Sequence, residues 1–418
     1  MKIRNSTISF SAFPGPDLLS RESSKDRNSS FRPSGFVVQT KNRRARAGRI
    51  PHSTFLYICL VALLLFAACV SQPDIRVEPL PRYDELFERQ DGWTGGDGVY
   101  SVPLGDSTIL WLFGDTWLGD VRNNVHVNAT IVNNTVAIQH GRFAQGAGLE
   151  FFTGRTADGN AAALIRPADG RGWLWIYHGT IIREHLYLFM VQIERTEKPP
   201  GAGFRIIGTW LGQVANPRDP PQDWKISQQK IPWGSFSSAA TLFGSWVLKQ
   251  GQWIYIYGTT EEVIDGFHYK YMILARAPES GPAKFDQWEF FVNGKWSADY
   301  KKAERLCAGV ANEYSVSYLP ATGKYIAVYS DSGRPDNIVA RFAPNPWGPW
   351  DDPVSLYRCP EARWGENIIC YAAKGHPDIS EAPDELIISY IANSTDFETM
   401  VSDARLYRPR FIRVRFVR

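Results

Sequence analysis

The sequence predicts an all-β chain folded as a five-bladed β-propeller, on three observations. After residue 90 no stretch keeps a helical period. One aromatic strand phrase then recurs five times: Leu110-Trp111-Leu112-Phe113-Gly114, Leu174-Trp175-Ile176-Tyr177-His178, Ile254-Tyr255-Ile256-Tyr257-Gly258, Ile326-Ala327-Val328-Tyr329-Ser330 and Ile387-Ile388-Ser389-Tyr390-Ile391. Each copy follows a turn: Gly105-Asp106, Asp169-Gly170, Gln250-Gly251, Thr322-Gly323 and Pro383-Asp384. Five units of about four antiparallel strands make such a propeller. A β-sandwich with insertions is the alternative, and it leaves the recurrence unexplained.

The order of elements follows. Residues 1–52 carry 11 Lys+Arg against 3 Asp+Glu, which leaves 35 basic and 40 acidic residues of the chain's 46 and 43 for the rest. The basic balance therefore belongs to a disordered N-terminal extension, and the folded part has no charge pattern for nucleic acid. Residues 53–69 form an apolar segment behind Arg43, Arg44, Arg46 and Arg49, and Phe66-Ala67-Ala68-Cys69 closes it. A basic region, a short apolar run and a small-small-Cys end describe a lipoprotein-type signal, with Cys69 lipidated and the protein extracytoplasmic, surface-anchored or secreted. An uncleaved membrane anchor is the rival reading, and a short one. Residues 70–90 read as a tether and 91–418 as the propeller. Cys359 and Cys370 could close a disulfide in an oxidising compartment, leaving Cys307 over.

The site candidates come from the first hairpin. Gly105-Asp106-Ser107 is a turn, Asp97 starts the strand before it and Asp115 ends the strand after it. The two acids are equidistant from position 106, so both stand at one end of the hairpin. Two carboxylates at one rim are the minimum equipment for acid/base cleavage of a glycosidic bond. Glu313, placed at the start of the fourth inner strand, is the third catalytic candidate. His178, Asp331 and His376 are expected on the same rim, with Glu261 and Glu262 as solvated loop charges. Trp93, Trp117, Trp173 and Trp233 lie near rim turns, where aromatic faces could stack on sugars. The spacing of His and Cys fits no metal motif, and no cofactor is expected.

Gly96-Asp97-Gly98 followed by Trp111-Leu112-Phe113-Gly114-Asp115-Thr116-Trp117 resembles the propeller family known as DUF4185, over about residues 90–418. Trp347-Gly348-Pro349-Trp350 and the stretch from Gly375-His376-Pro377 to Ile388-Ser389-Tyr390 are similar to it as well. That resemblance implies a family-43-like glycoside hydrolase architecture, inverting endo-D-arabinanase relatives, and Asp97 and Asp115 as the catalytic pair. The expectation is an exported, monomeric glycoside hydrolase acting on a furanose-containing polysaccharide or oligosaccharide. A non-catalytic glycan-binding lipoprotein on the same scaffold is the alternative.

Overall fold

The computed structural model describes residues 74–196, 203–237, 239–334 and 336–417. The extension, the apolar segment and Cys69 lie outside the described residues. No helix among the described residues is long and apolar enough to cross a membrane.

The fold is all-β. Among the described residues five antiparallel sheets of four or more strands follow one another along the chain, beside a three-stranded sheet of Asp91–Gly96, Thr116–Arg122 and Val125–Val132 and one two-residue ladder. Sheet one runs Tyr100–Gly105, Thr108–Phe113, Thr135–His140, Gly148–Phe152. Sheet two runs Trp173–Ile182, His185–Arg195, Phe204–Val214, Ile226–Lys230. Sheet three is built on Ala240–Gln250, Trp253–Ile264, Phe267–Pro278 and Glu289–Val292, and sheet four on Tyr314–Leu319, Lys324–Ser330, Asn337–Ala343 and Val354–Arg358. Sheet five joins Ile368–His376, Glu385–Ser394 and Pro409–Val417 to Asp74–Pro79 from the other end of the chain. The first strand of each sheet touches the first strand of the next, and sheet five touches sheet one, so these strands close a ring. They are apolar and buried because both of their faces meet neighbouring sheets.

The closing strand corrects the sequence reading. Residues 74–79, expected in a tether, pair with Pro409–Val417 from Asp74↔Val417 to Pro79↔Ile412. Pro81–Phe87, also within the expected tether, is a helix with proline in its first turn, where a missing N–H costs nothing. It buries Tyr83 and Phe87 against Phe411, at ring separations of 5.3 and 5.5 Å. The strand Pro409–Val417 is therefore third in its sheet.

Sheet two differs from the others. Its aromatic phrase lies in the first strand, where the other four sheets carry theirs in the second, and Ala161–Ala162 forms only a two-residue ladder with Gly154–Arg155. Cys359 and Cys370 are neighbours, yet stand as thiols rather than a disulfide. The hydrogen bond to Cys370 and burial push the Cys359 thiol up, so it resists becoming a reactive thiolate.

Candidate active site

The turn at Asp106 and Ser107 has φ values of 50° and 60°, the left-handed pair of a two-residue hairpin. Strand pairing runs from Gly105↔Thr108 to Tyr100↔Leu112. Beyond it the Asp97 amide donates to the Asp115 carbonyl at 3.1 Å, and the Gly114 amide to the Asp97 carbonyl at 3.0 Å. The hairpin thus brings Asp97 and Asp115 to one end, as the symmetry about 106 requires. Gly114 leaves room for the Asp97 carboxylate, since a Cβ there would fall 2.5 Å from Asp97 Oδ1.

Each acid is held by one oxygen. Asp97 Oδ2 accepts from the Tyr371 hydroxyl at 2.7 Å and the Tyr407 hydroxyl at 2.8 Å. Asp115 Oδ1 accepts from Trp175 Nε1 at 2.8 Å and Asn133 Nδ2 at 3.1 Å. Lys374 Nζ donates to Glu313 Oε2 at 2.6 Å. Among the described residues no side chain or amide donates to Asp97 Oδ1, Asp115 Oδ2 or Glu313 Oε1, so each acid keeps one oxygen free.

Burial sets the electrostatics. Burial first, then the adjacent Asp115 and Glu313 carboxylates, push Asp97 up to about 8 against its two tyrosine donors. Burial pushes Asp115 up to about 6 against Trp175 and Asn133. The two acids titrate as a pair, and the pair still holds a proton near neutral pH. Burial lowers the Lys374 pKa, and Glu313 opposes that. The Lys374 ammonium also lies 4.3 Å from the centre of the Tyr100 ring.

The supporting residues come from sites that strand alternation does not single out. Tyr371 and Lys374 flank a bulge in Ile368–His376, where pairing jumps from Tyr371↔Ile391 to Lys374↔Ser389. Ala372 inside it has φ 60°. A bulge re-aims side chains, and here it sends Tyr371 to Asp97 and Lys374 to Glu313. Tyr407 sits in a loop whose carbonyl accepts from the Gly96 amide at 2.7 Å, and a Cβ at Gly95 would lie 2.8 Å from that carbonyl. A lone Lys in the apolar run Ile368-Ile369-Cys370-Tyr371-Ala372-Ala373-Lys374 was the one available sequence signal.

His376, His178, Trp93 and Trp117 are buried in the packing, and the other rim candidates have partners of their own. His376 is fully buried, ends its strand rather than starting it, and hydrogen-bonds Ser101 Oγ and Ser389 Oγ, both at 2.8 Å. His178 lies inside the first strand of sheet two, stacks on Trp246 at 3.6 Å and accepts the Val247 amide at Nδ1. Burial holds both imidazoles at about 3, hence neutral. Trp93 packs on Phe151 and Phe113, and Trp117 stacks on His126, so neither can offer a face to a sugar. Trp233 packs on Phe290 and Tyr300. Trp173 is half-buried against Trp175. Asp331 caps its own turn by accepting the Gly333 amide. Glu261 pairs with Lys270 and His268, and Glu262 with Arg305. Among the described residues no cluster of His, Cys, Asp and Glu could hold a metal ion.

A ring of antiparallel sheets with acids gathered at one end is the architecture of a propeller-type β protein. Within it, the chain belongs to the family described as domain of unknown function DUF5005, whose model matches residues 81–416. This replaces the DUF4185 resemblance: the Gly-Asp-Thr phrase around Asp115 is too short to separate the two. No curated protein sequence matches the chain. Among solved structures, a proposed hydrolase from Bacteroides ovatus ATCC 8483 has a TM-score of 0.65 at 22% identity, over 83% of this chain and 92% of that one. A thermostable family-43 glycoside hydrolase gives 0.42 at 13% identity, over 78% and 90%. The GH43_1 enzyme from Xanthomonas citri, complexed with xylose, gives 0.41 at 14%, over 78% and 92%.

Proposed function

We propose that this protein is a glycoside hydrolase that cleaves a furanose-containing polysaccharide by carboxylate acid/base catalysis. The observation that carries the reading is the gathering of Asp97, Asp115 and Glu313, each fixed through one oxygen with the other free. One proton held by the Asp97/Asp115 pair goes to the leaving glycosidic oxygen. The ionised partner takes a proton from the attacking water, and the remaining negative charge favours the oxocarbenium-like transition state. Lys374 fixes Glu313 and offsets part of the repulsion among three acids.

The fold reading is a five-bladed propeller, supported by five sheets whose first strands touch in a closed cycle. The arabinan expectation rested on the DUF4185 resemblance and loses that support. The test is therefore a panel of arabinan, arabinoxylan, xylan and galactan with sizing of the released products. Cleavage of a furanose-containing member supports the reading; release of sugar from none overturns it.

We also propose that the protein is exported and anchored through Cys69. The support is the run of basic, apolar and small residues before that cysteine. Fatty-acid labelling that survives Cys69→Ser would refute it.

A further inference from the structure

We propose that the hairpin arm of sheet three is a substrate-binding wall that grips a glycan chain beyond the bond being cut; the inference rests on the hydrolase reading and gives that site its polymer specificity. Among the described residues Trp253–Ile264, with 12 residues, is the longest second strand of the five sheets, the others having 6, 11, 7 and 10. First strands start at the acid-bearing end and second strands run back toward it, so the part of Trp253–Ile264 past Gly258 runs beyond the level of Tyr314, the neighbour of Glu313. Its root is fixed beside Glu313. The Tyr314 hydroxyl donates to the Gly258 carbonyl at 2.8 Å, and Thr259 Oγ1 donates to Asn312 Oδ1 at 3.3 Å. Residues 259–264 then extend roughly 20 Å at ~3.3 Å per residue.

The arm leaves its sheet behind. Its pairing with Ala240–Gln250 ends at Thr241↔Thr260, and pairing with Cys307–Ala308 ends at Tyr271. From Glu261 to Tyr269 the two strands pair with each other. An isolated two-stranded ribbon is marginal in water, and ion pairs brace this one: Glu261 with Lys270 at 3.2 Å, and Glu262 with Arg305. Ile264 and Phe267 are cross-strand partners, and Tyr269 is two residues from Phe267, so the three share one face. They are 47, 52 and 44% exposed. Exposed apolar side chains clustered on an arm mark an interaction surface. The occupant is a glycan. The arm is continuous with the carboxylate site through Asn312, Glu313 and Tyr314. Phenyl and phenol rings on a polar, ion-paired ribbon suit the apolar faces of sugar rings.

The experiment uses the full chain and its Phe267→Ala/Tyr269→Ala variant, with affinity electrophoresis on arabinan, arabinoxylan, xylan and galactan, hydrolysis of the polymer that binds, and sedimentation. The expected result is retention of the parent by one polymer, a Kd raised about tenfold in the variant, and equal action of both on a trisaccharide of the same sugar. Equal Kd values, retention by no polymer, or a dimer that the variant converts to a monomer would each overturn the proposal. The last outcome would identify a second copy as the occupant. If the parent binds a polymer through the arm and cuts none, the hydrolase reading fails and the arm stands only as a glycan-binding surface. If it cuts the polymer and the variant binds and cuts alike, the arm fails and the hydrolase stands.

Discussion

Lys374 Nζ lies 2.6 Å from Glu313 Oε2, with the lysine side chain fully buried and the glutamate side chain 21% exposed. The asymmetry makes the pair directional. Glu313→Gln removes the counter-charge of a buried ammonium, leaving it the Ala372 carbonyl at 2.8 Å and a neutral amide oxygen, whereas Lys374→Met leaves a carboxylate that still meets solvent. Removing one partner of a buried pair costs about 3–5 kcal/mol. Glu313→Gln should therefore approach that cost, Lys374→Met should cost less, and the double variant should recover part of the loss. Urea unfolding of all four proteins checks this, and additive losses would show that the pair is not coupled.

Asp97 and Asp115 give stability a definite pH slope. Their folded pKa values of about 8 and about 6 exceed the ordinary 3.8. Groups raised in this way bind more protons folded than unfolded, so their contribution is fully present below about pH 4 and is lost as pH rises toward 8. Asp97→Asn keeps an oxygen for the two tyrosine hydroxyls and removes the buried charge. Its melting temperature should exceed the parent's at pH 8 and match it near pH 4. A variant less stable than the parent at pH 8 would contradict the raised pKa.

Tyr371 and Tyr407 both donate to Asp97 Oδ2, which favours the charged carboxylate. Tyr371→Phe or Tyr407→Phe should raise the Asp97 pKa further and move the basic limb of the activity profile upward by about 0.5–1 pH unit, the scale of one lost charged hydrogen bond. A profile that stays in place would separate the phenols from the chemistry.

Gly114→Ala is the steric counterpart. The added methyl would lie 2.5 Å from Asp97 Oδ1, and the backbone there is not left-handed, so strain falls on the carboxylate. Activity should drop by about 10²-fold, the scale of a displaced acid or base, with a near-parental melting temperature. Retained activity would mean that Asp97 Oδ1 has no role.

The carboxylate pair was legible because a two-residue turn fixes register, and register is arithmetic. Glu313 was legible through its place before an apolar strand. Tyr371 and Lys374 were hidden by the bulge at Ala372, which breaks the alternation that sequence reading depends on. Tyr407 reaches Asp97 across 310 residues, which local pattern does not encode. The tryptophans misled for a different reason: a large ring near a turn more often fills a core than a site, and Trp93 and Trp117 do so. Asp74–Pro79 passed for a tether because its partner strand lies at the far end of the chain.

We propose that Asp97 and Asp115 act as one acid/base pair on glycosidic bonds. The most direct test is release of reducing ends from the cleaved polysaccharide, followed across pH for the parent, Asp97→Asn, Asp115→Asn and the remote control Asp106→Asn. Asp106 is an exposed turn residue paired with Arg218 at 3.1 Å, at the other end of the hairpin. The expected result is a bell-shaped profile for the parent and for Asp106→Asn, and losses of at least about 10²-fold for the two site variants with cooperative melting retained. Folded Asp97→Asn and Asp115→Asn proteins that release reducing ends at the parent's rate would contradict it.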